Sequence, residues 1–209
     1  MDLSEFEKYF LNNKNISSFV GKNAPVHRIE DSQDKLFWSF FIIINGMTEF
    51  EYLKMLHKLK ITEKQLKIEF LEKINQRKKE ITKKKLVKTL SSVETNLLEQ
   101  TTSLETLVVL AFIEKVNILF VDERTFFYVE NDPDNKIHVI KHNVVVFEDV
   151  EKVKKNRIER YRVDKVLSSI SNYKLNDLKN IYSLLVTEMT KMTKQTLYDN
   201  IIDLCSIKN

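Results

Sequence analysis

Asp34-Lys35-Leu36-Phe37-Trp38-Ser39-Phe40-Phe41-Ile42-Ile43-Ile44-Asn45-Gly46 decides the fold of this chain. It holds the only tryptophan, three of the 13 phenylalanines and one of the two glycines. Asp34 can accept backbone N–H groups at a helix start, and Gly46 can take the left-handed conformation that ends one, so the stretch predicts an apolar helix over 35–45. Ser39 stands in the middle of its bulky residues, and its hydroxyl poses the question of catalysis.

Composition sets the frame around that helix. With 209 residues, 43% of them hydrophobic, the chain can bury one substantial core and a small second module. Two glycines and two prolines argue against phosphate-binding glycine loops and turn-rich sandwiches, and for helices. The single cysteine, Cys205, excludes an intrachain disulfide and a cysteine zinc cluster, which fits a reducing, intracellular compartment. The first ten residues are acidic and amphipathic rather than basic then apolar, and no run approaches the roughly 18 apolar residues of a membrane helix. Neither a secretory signal nor a membrane partner is expected.

Outward from the apolar helix, Leu3, Phe6, Phe10 and Leu11 predict a short N-terminal helix, followed by a loop through Gly21, Pro25 and His27. Thr48-Glu49-Phe50-Glu51 and Thr62-Glu63-Lys64-Gln65 both match capping boxes, so helices are predicted to open there. Ser103 caps a predicted buried helix over 104–115. Four β-rich runs follow: 116–121, 125–129, 136–141 and 144–147. Their short connections predict an antiparallel meander. The fold class is α+β, helices before a small sheet, with a first domain over 1–165 and a helical hairpin over 166–209.

Charge is segregated along this plan. Net charge is −3 over 1–53, +9 over 54–88, −8 over 89–151 and +6 over 152–209. The stretch 75–80 is wholly polar, and with Lys78, Lys79, Lys83, Lys84 and Lys85 it predicts a basic helical segment over 62–90 that projects into solvent. Such blocks are the footprint expected for DNA or RNA, or for an acidic protein partner. No aromatic residue is interleaved with these lysines, so no stacking platform for single strands is predicted in the segment itself. The four histidines, His27, His57, His138 and His142, are dispersed and form no metal set; no metal or cofactor is expected.

An apolar helix, further helices, a buried helix and then a strand run bearing histidines resembles the element order of papain-like and ovarian-tumour-type cysteine peptidases. More narrowly, Asp34-Lys35-Leu36-Phe37-Trp38-Ser39 resembles uncharacterised proteins of nucleocytoplasmic large DNA viruses, where the segment reads Asp-x-Leu-Phe-Trp-Cys. That resemblance implies a peptidase-like scaffold, a host-cytoplasm, viral-factory or virion setting, and viral proteins as partners. Ser39 stands where the pattern has cysteine. A serine hydroxyl needs an adjacent base and an oxyanion hole to react, so the reading adopted is a non-catalytic scaffold. The alternative is a hydrolase using Ser39 with His138 or His142.

The C-terminal part carries Leu175, Leu178, Tyr182 and Leu185 against Leu197, Ile201 and Leu204, two amphipathic helices around a polar turn. It resembles the SAP and Rho-N-like modules, which implies nucleic-acid binding with Lys191 and Lys194 on phosphates and Lys174 and Lys179 peripheral. The turn 186–193 lacks the glycine common in those modules.

Overall fold

The cap predicted from the sequence is present: Asp34 Oδ1 accepts the Phe37 N–H at 3.1 Å and opens helix α1 (Lys35–Asn45). Gly46 follows it at φ +87°, with open space around the position of a Cβ, so the backbone angle rather than crowding calls for glycine. The computed structural model describes residues 29, 34–187 and 191–206. The chain divides into Met1–Glu30 and Asp31–Asn209, and the architecture below is that of the second unit. The predicted N-terminal helix, its following loop and His27 lie outside the described residues.

Four helices follow in turn: α2 (Met47–Met55), α3 (Leu59–Gln76), α4 (Lys78–Lys84) and α5 (Leu90–Leu97). Both predicted capping boxes go unused. Gly46 joins α1 directly to α2, so Thr48 already lies in the first turn, and Lys58 rather than Thr62 precedes α3. His57, in the left-handed region at φ +55°, makes the tight link between α2 and α3. α6 (Leu104–Glu114) is buried from Thr106 to Ile113 and begins on Ser103, whose Oγ accepts the Thr106 N–H at 3.2 Å.

An aromatic cluster locks α1 in place. Trp38 meets Phe37, Phe41 and Phe50 with ring centroids 5.2–5.8 Å apart, and Phe70 of α3 meets Phe37 and Phe40. A buried polar chain lies beside it. Asp34 Oδ2 accepts from Lys67 Nζ at 2.9 Å and from the Thr102 N–H and Oγ at 2.7 Å each. Lys67 Nζ also reaches Glu63 Oε1 at 2.9 Å and the Glu99 carbonyl at 3.2 Å, and Glu63 Oε2 accepts the Trp38 indole N–H at 2.9 Å.

The sheet contains β1 (Asn117–Val121), β2 (Thr125–Val129), β3 (Ile137–Lys141), β4 (Val144–Val146) and β5 (Ile158–Glu159), in the order β4-β3-β1-β2-β5. It is mixed rather than a meander. The β1–β2 and β3–β4 hairpins are antiparallel as predicted, but β3 runs parallel to β1 on the side away from β2. The connection 130–136 achieves this because β2 ends beside the start of β1, so the chain only steps across one strand end. Buried Asn117 fastens that step: its Oδ1 accepts the Asn131 and Asp132 N–H groups, and its Nδ2 donates to the Asp132 and Asn135 carbonyls.

All five residues of β1 are buried, as a central strand covered on both faces requires. The short helix α7 (Val150–Lys154) covers one face, where Val153 packs with Leu119, Val121, Phe126 and Val139. α1 packs on β4 and on α6. Beyond β5 come a 3₁₀ turn (Ile170–Asn172), α8 (Leu175–Ser183) and α9 (Lys194–Cys205). Leu178, Tyr182, Leu197, Ile201 and Cys205 of the two helices share a core with Leu167 and with Ile158 of β5, so packing bridges the expected boundary at residue 165.

Replacing Asp34 with alanine leaves the buried Lys67 ammonium with Glu63 as its remaining carboxylate and removes the acceptor of the Phe37 and Thr102 amides. Asp34→Ala is expected to cost about 3–5 kcal/mol in urea unfolding, and Lys67→Met, which leaves the Asp34 and Glu63 carboxylates together without their cation, a comparable amount. A loss below about 1 kcal/mol for either variant would contradict this.

Candidate functional site

Ser39 is fully buried, and both hydrogen-bonding capacities of its hydroxyl are in use. Its Oγ donates to the Asn143 carbonyl at 2.8 Å and accepts the Val145 N–H at 3.2 Å. The bond back along its own helix that a mid-helix serine usually makes is replaced by bonds across to the β3–β4 hairpin. Neither His138 nor His142 is its partner. His138 sits half-buried in β3, where burial, with help from Lys136, pulls its pKa below the ordinary 6.5. The strand ends at Lys141, so His142 does not share a strand face with His138. With Asn143 it forms a two-residue turn at φ +50° and +63°, the conformation of a type I′ hairpin. His57 is exposed, and the described residues contain no group of three metal-ligating side chains.

The predicted projecting basic segment is instead packed against the domain. Phe70, Ile74 and Ile81 point inward, and Lys67 is part of the buried polar chain. Arg77 lies 4.6 Å from the Phe112 ring centre and donates to the Ile113 carbonyl at 3.0 Å, and Lys84 covers the same ring. Lys78 pairs with Glu94 at 3.3 Å, whereas Lys79, Lys83 and Lys85 are exposed without an ion-pair partner among the described residues. Lys191 is exposed and Lys194 opens α9; no hydrogen bond or ion pair ties either to α4.

The fold adds what the sequence kept apart. Lys88 forms an ion pair with Asp164, and Arg162 Nε lies 3.4 Å from the same carboxylate. The hydrogen bond from Lys88 and the nearby Arg162 hold the Asp164 carboxyl below its ordinary 3.8. Lys88, at the end of one positive block, and the turn 160–165 of another therefore meet, with Lys165 exposed beside them.

The inner side of that same turn enters a cavity of about 230 Å³ at the end of the sheet, where the parallel strands β1 and β3 finish. Phe120, Phe126, Phe127 and Ile140 form apolar wall; Asp122, Thr125, His142, Asn143 and Arg160 supply polar groups. Arg160 Nε donates to Thr125 Oγ at 2.9 Å and Nη1 to the Val163 carbonyl at 3.2 Å, leaving Nη2 only the Asp122 carboxylate at 3.5 Å. In the sequence Asp122 falls between the first two β-rich runs and Arg160 beyond the last of them, 38 residues apart. The pairing of β5 alongside β2 brings them together, and no motif announces it.

No protein-family model, curated protein or solved structure matches the chain. The interpretation of the site therefore rests on its own geometry.

Ser39→Ala strands the partly buried Val145 amide where the hairpin meets α1 and is expected to lower stability by about 1–2 kcal/mol. Chemical denaturation measures it, and an unchanged midpoint would contradict the clamp. His138 gives a pH signature. Its folded pKa is depressed, so the unfolded chain takes up the proton first as pH falls. Wild type should lose stability from about pH 6.5 downward, levelling off below the folded pKa, and His138→Gln should remove that component. Thermal melts of the two proteins between pH 8 and pH 5 (roughly the window set by the ordinary histidine value) check the sign.

Proposed function

We propose that this protein is a non-catalytic nucleic-acid-binding protein that grips phosphates through the basic surface formed by 78–88 and 160–165. The observation that carries the proposal is the Lys88–Asp164–Arg162 contact, which brings the end of one positive block against another far away in sequence. Lys79, Lys83 and Lys85 are exposed earlier in the same block without ion-pair partners among the described residues, so counterions neutralise them until a polyanion replaces those ions. The saturated hydroxyl of Ser39 supports the non-catalytic half, because a nucleophile needs a base within hydrogen-bond reach and this one has a carbonyl and an amide. The viral resemblance adds an accessory or virion-associated role inside an infected cell, and Lys191 and Lys194 a second phosphate contact. No helix among the described residues is long and apolar enough to cross a membrane.

Fluorescence anisotropy with labelled DNA and RNA across a salt series tests this. Wild type should bind with a steep salt dependence. The triple variant Lys79→Glu, Lys83→Glu, Lys85→Glu should bind at least about tenfold more weakly at low salt and lower the log–log slope by about 2–3. An unchanged affinity and slope would overturn the assignment.

A further inference from the structure

We infer that the cavity at the end of the sheet receives one unpaired nucleobase of a strand whose phosphates lie on the adjoining basic surface; this rests on the nucleic-acid reading above. Continuity is the first argument. A single turn supplies Arg160 and Val163 to the cavity and Arg162, Asp164 and Lys165 to the basic surface, so a phosphate held at Lys88, Arg162 or Lys165 lies one or two residues of chain from the cavity lining.

Size and chemistry give the second. About 230 Å³ falls below the roughly 300–1,000 Å³ of sites for drug-sized ligands, which suits a single ring system. Phe120 and Phe127, paired across the two strands, offer the aromatic surface on which a base stacks, the platform that the lysine segment itself lacks. Arg160 Nη2 and Asp122 Oδ2, 3.5 Å apart, form an adjacent donor and acceptor. Neither makes a hydrogen bond elsewhere, since Asp122 uses Oδ1 for the Glu123 N–H. The pairing edge of a base presents the complementary acceptor and donor side by side. Asn143, an amide able both to donate and to accept, and His142 stand at the same cavity. The left-handed turn that presents them is fastened from behind by Ser39.

The test compares, with the full-length chain, a single-stranded oligothymidylate of about 12 nucleotides and the same strand carrying central abasic sites, which keeps every phosphate. Wild type should bind the abasic strand about tenfold more weakly. Phe127→Ala and His142→Gly, confirmed as folded by circular dichroism, should bring the intact strand down to the abasic level. Glycine is chosen at 142 because it accepts the positive φ. Equal wild-type affinity for the two strands overturns base insertion while leaving the basic surface standing, and full discrimination by both variants places the base elsewhere and also overturns it. Failure of both strands to bind at low salt overturns both readings.

Discussion

The buried pair of Asp34 and Lys67 is the constraint on which the helical layer depends. Taking two charges out of water costs several kcal/mol per ion, and such a pair persists only when every remaining donor and acceptor is also engaged. Here both Asp34 oxygens accept, and the Lys67 ammonium has three oxygen partners. Those partners come from α1, α3 and the α5–α6 connection, so the relative placement of three segments is fixed by one saturated node. An apolar contact tolerates sliding; this one does not, and Glu63 extends it to the indole of Trp38. The aspartate of the Asp-x-Leu-Phe-Trp stretch is thus both a helix cap and a tie between segments.

Five residues along α1 from Asp34, a second polar contact orients the sheet against the helices. Ser39 reaches the β3–β4 turn, and two consecutive non-glycine residues hold positive φ there. Left-handed conformations cost L-residues roughly 1 kcal/mol or more each, and the contacts of a well-packed neighbour compensate. The Ser39 hydroxyl serves here to hold the wall of a cavity. Function on this reading belongs to what the hairpin presents, not to the serine behind it.

Local chemistry was legible in the sequence where a residue acts on its immediate neighbours. Asp34, Gly46 and Ser103 mark helix boundaries that the structure confirms, and the β-rich runs over 116–121, 125–129, 136–141 and 144–147 each contain a strand. Thr48 and Thr62 misled because a helix start is decided by where the preceding turn releases the chain, and α2 and α3 begin upstream of them. Lys67 reads as one more surface lysine among 13 basic residues over 54–88, since nothing local announces a partner 33 residues away. The parallel placement of β3 depends on one side chain, Asn117, bonding a loop 14–18 residues on. The cavity pairs Asp122 with Arg160 through a two-residue strand too short to detect by alternation. What the sequence concealed is therefore long-range and polar, the class of contact that periodicity does not encode.

The bond from Val145 to Ser39 also governs how this molecule meets copies of itself. β4 is an edge strand, and edge strands with unpaired amides invite the addition of another chain. In its three residues Val145 directs its N–H away from β3, and that donor is already given to a side chain from α1. At the opposite edge, β5 offers only two residues before the chain turns into the core of the tail. Growth of the sheet by strand exchange or amyloid-like stacking is thereby disfavoured at both margins, by a hydroxyl at one and by brevity at the other.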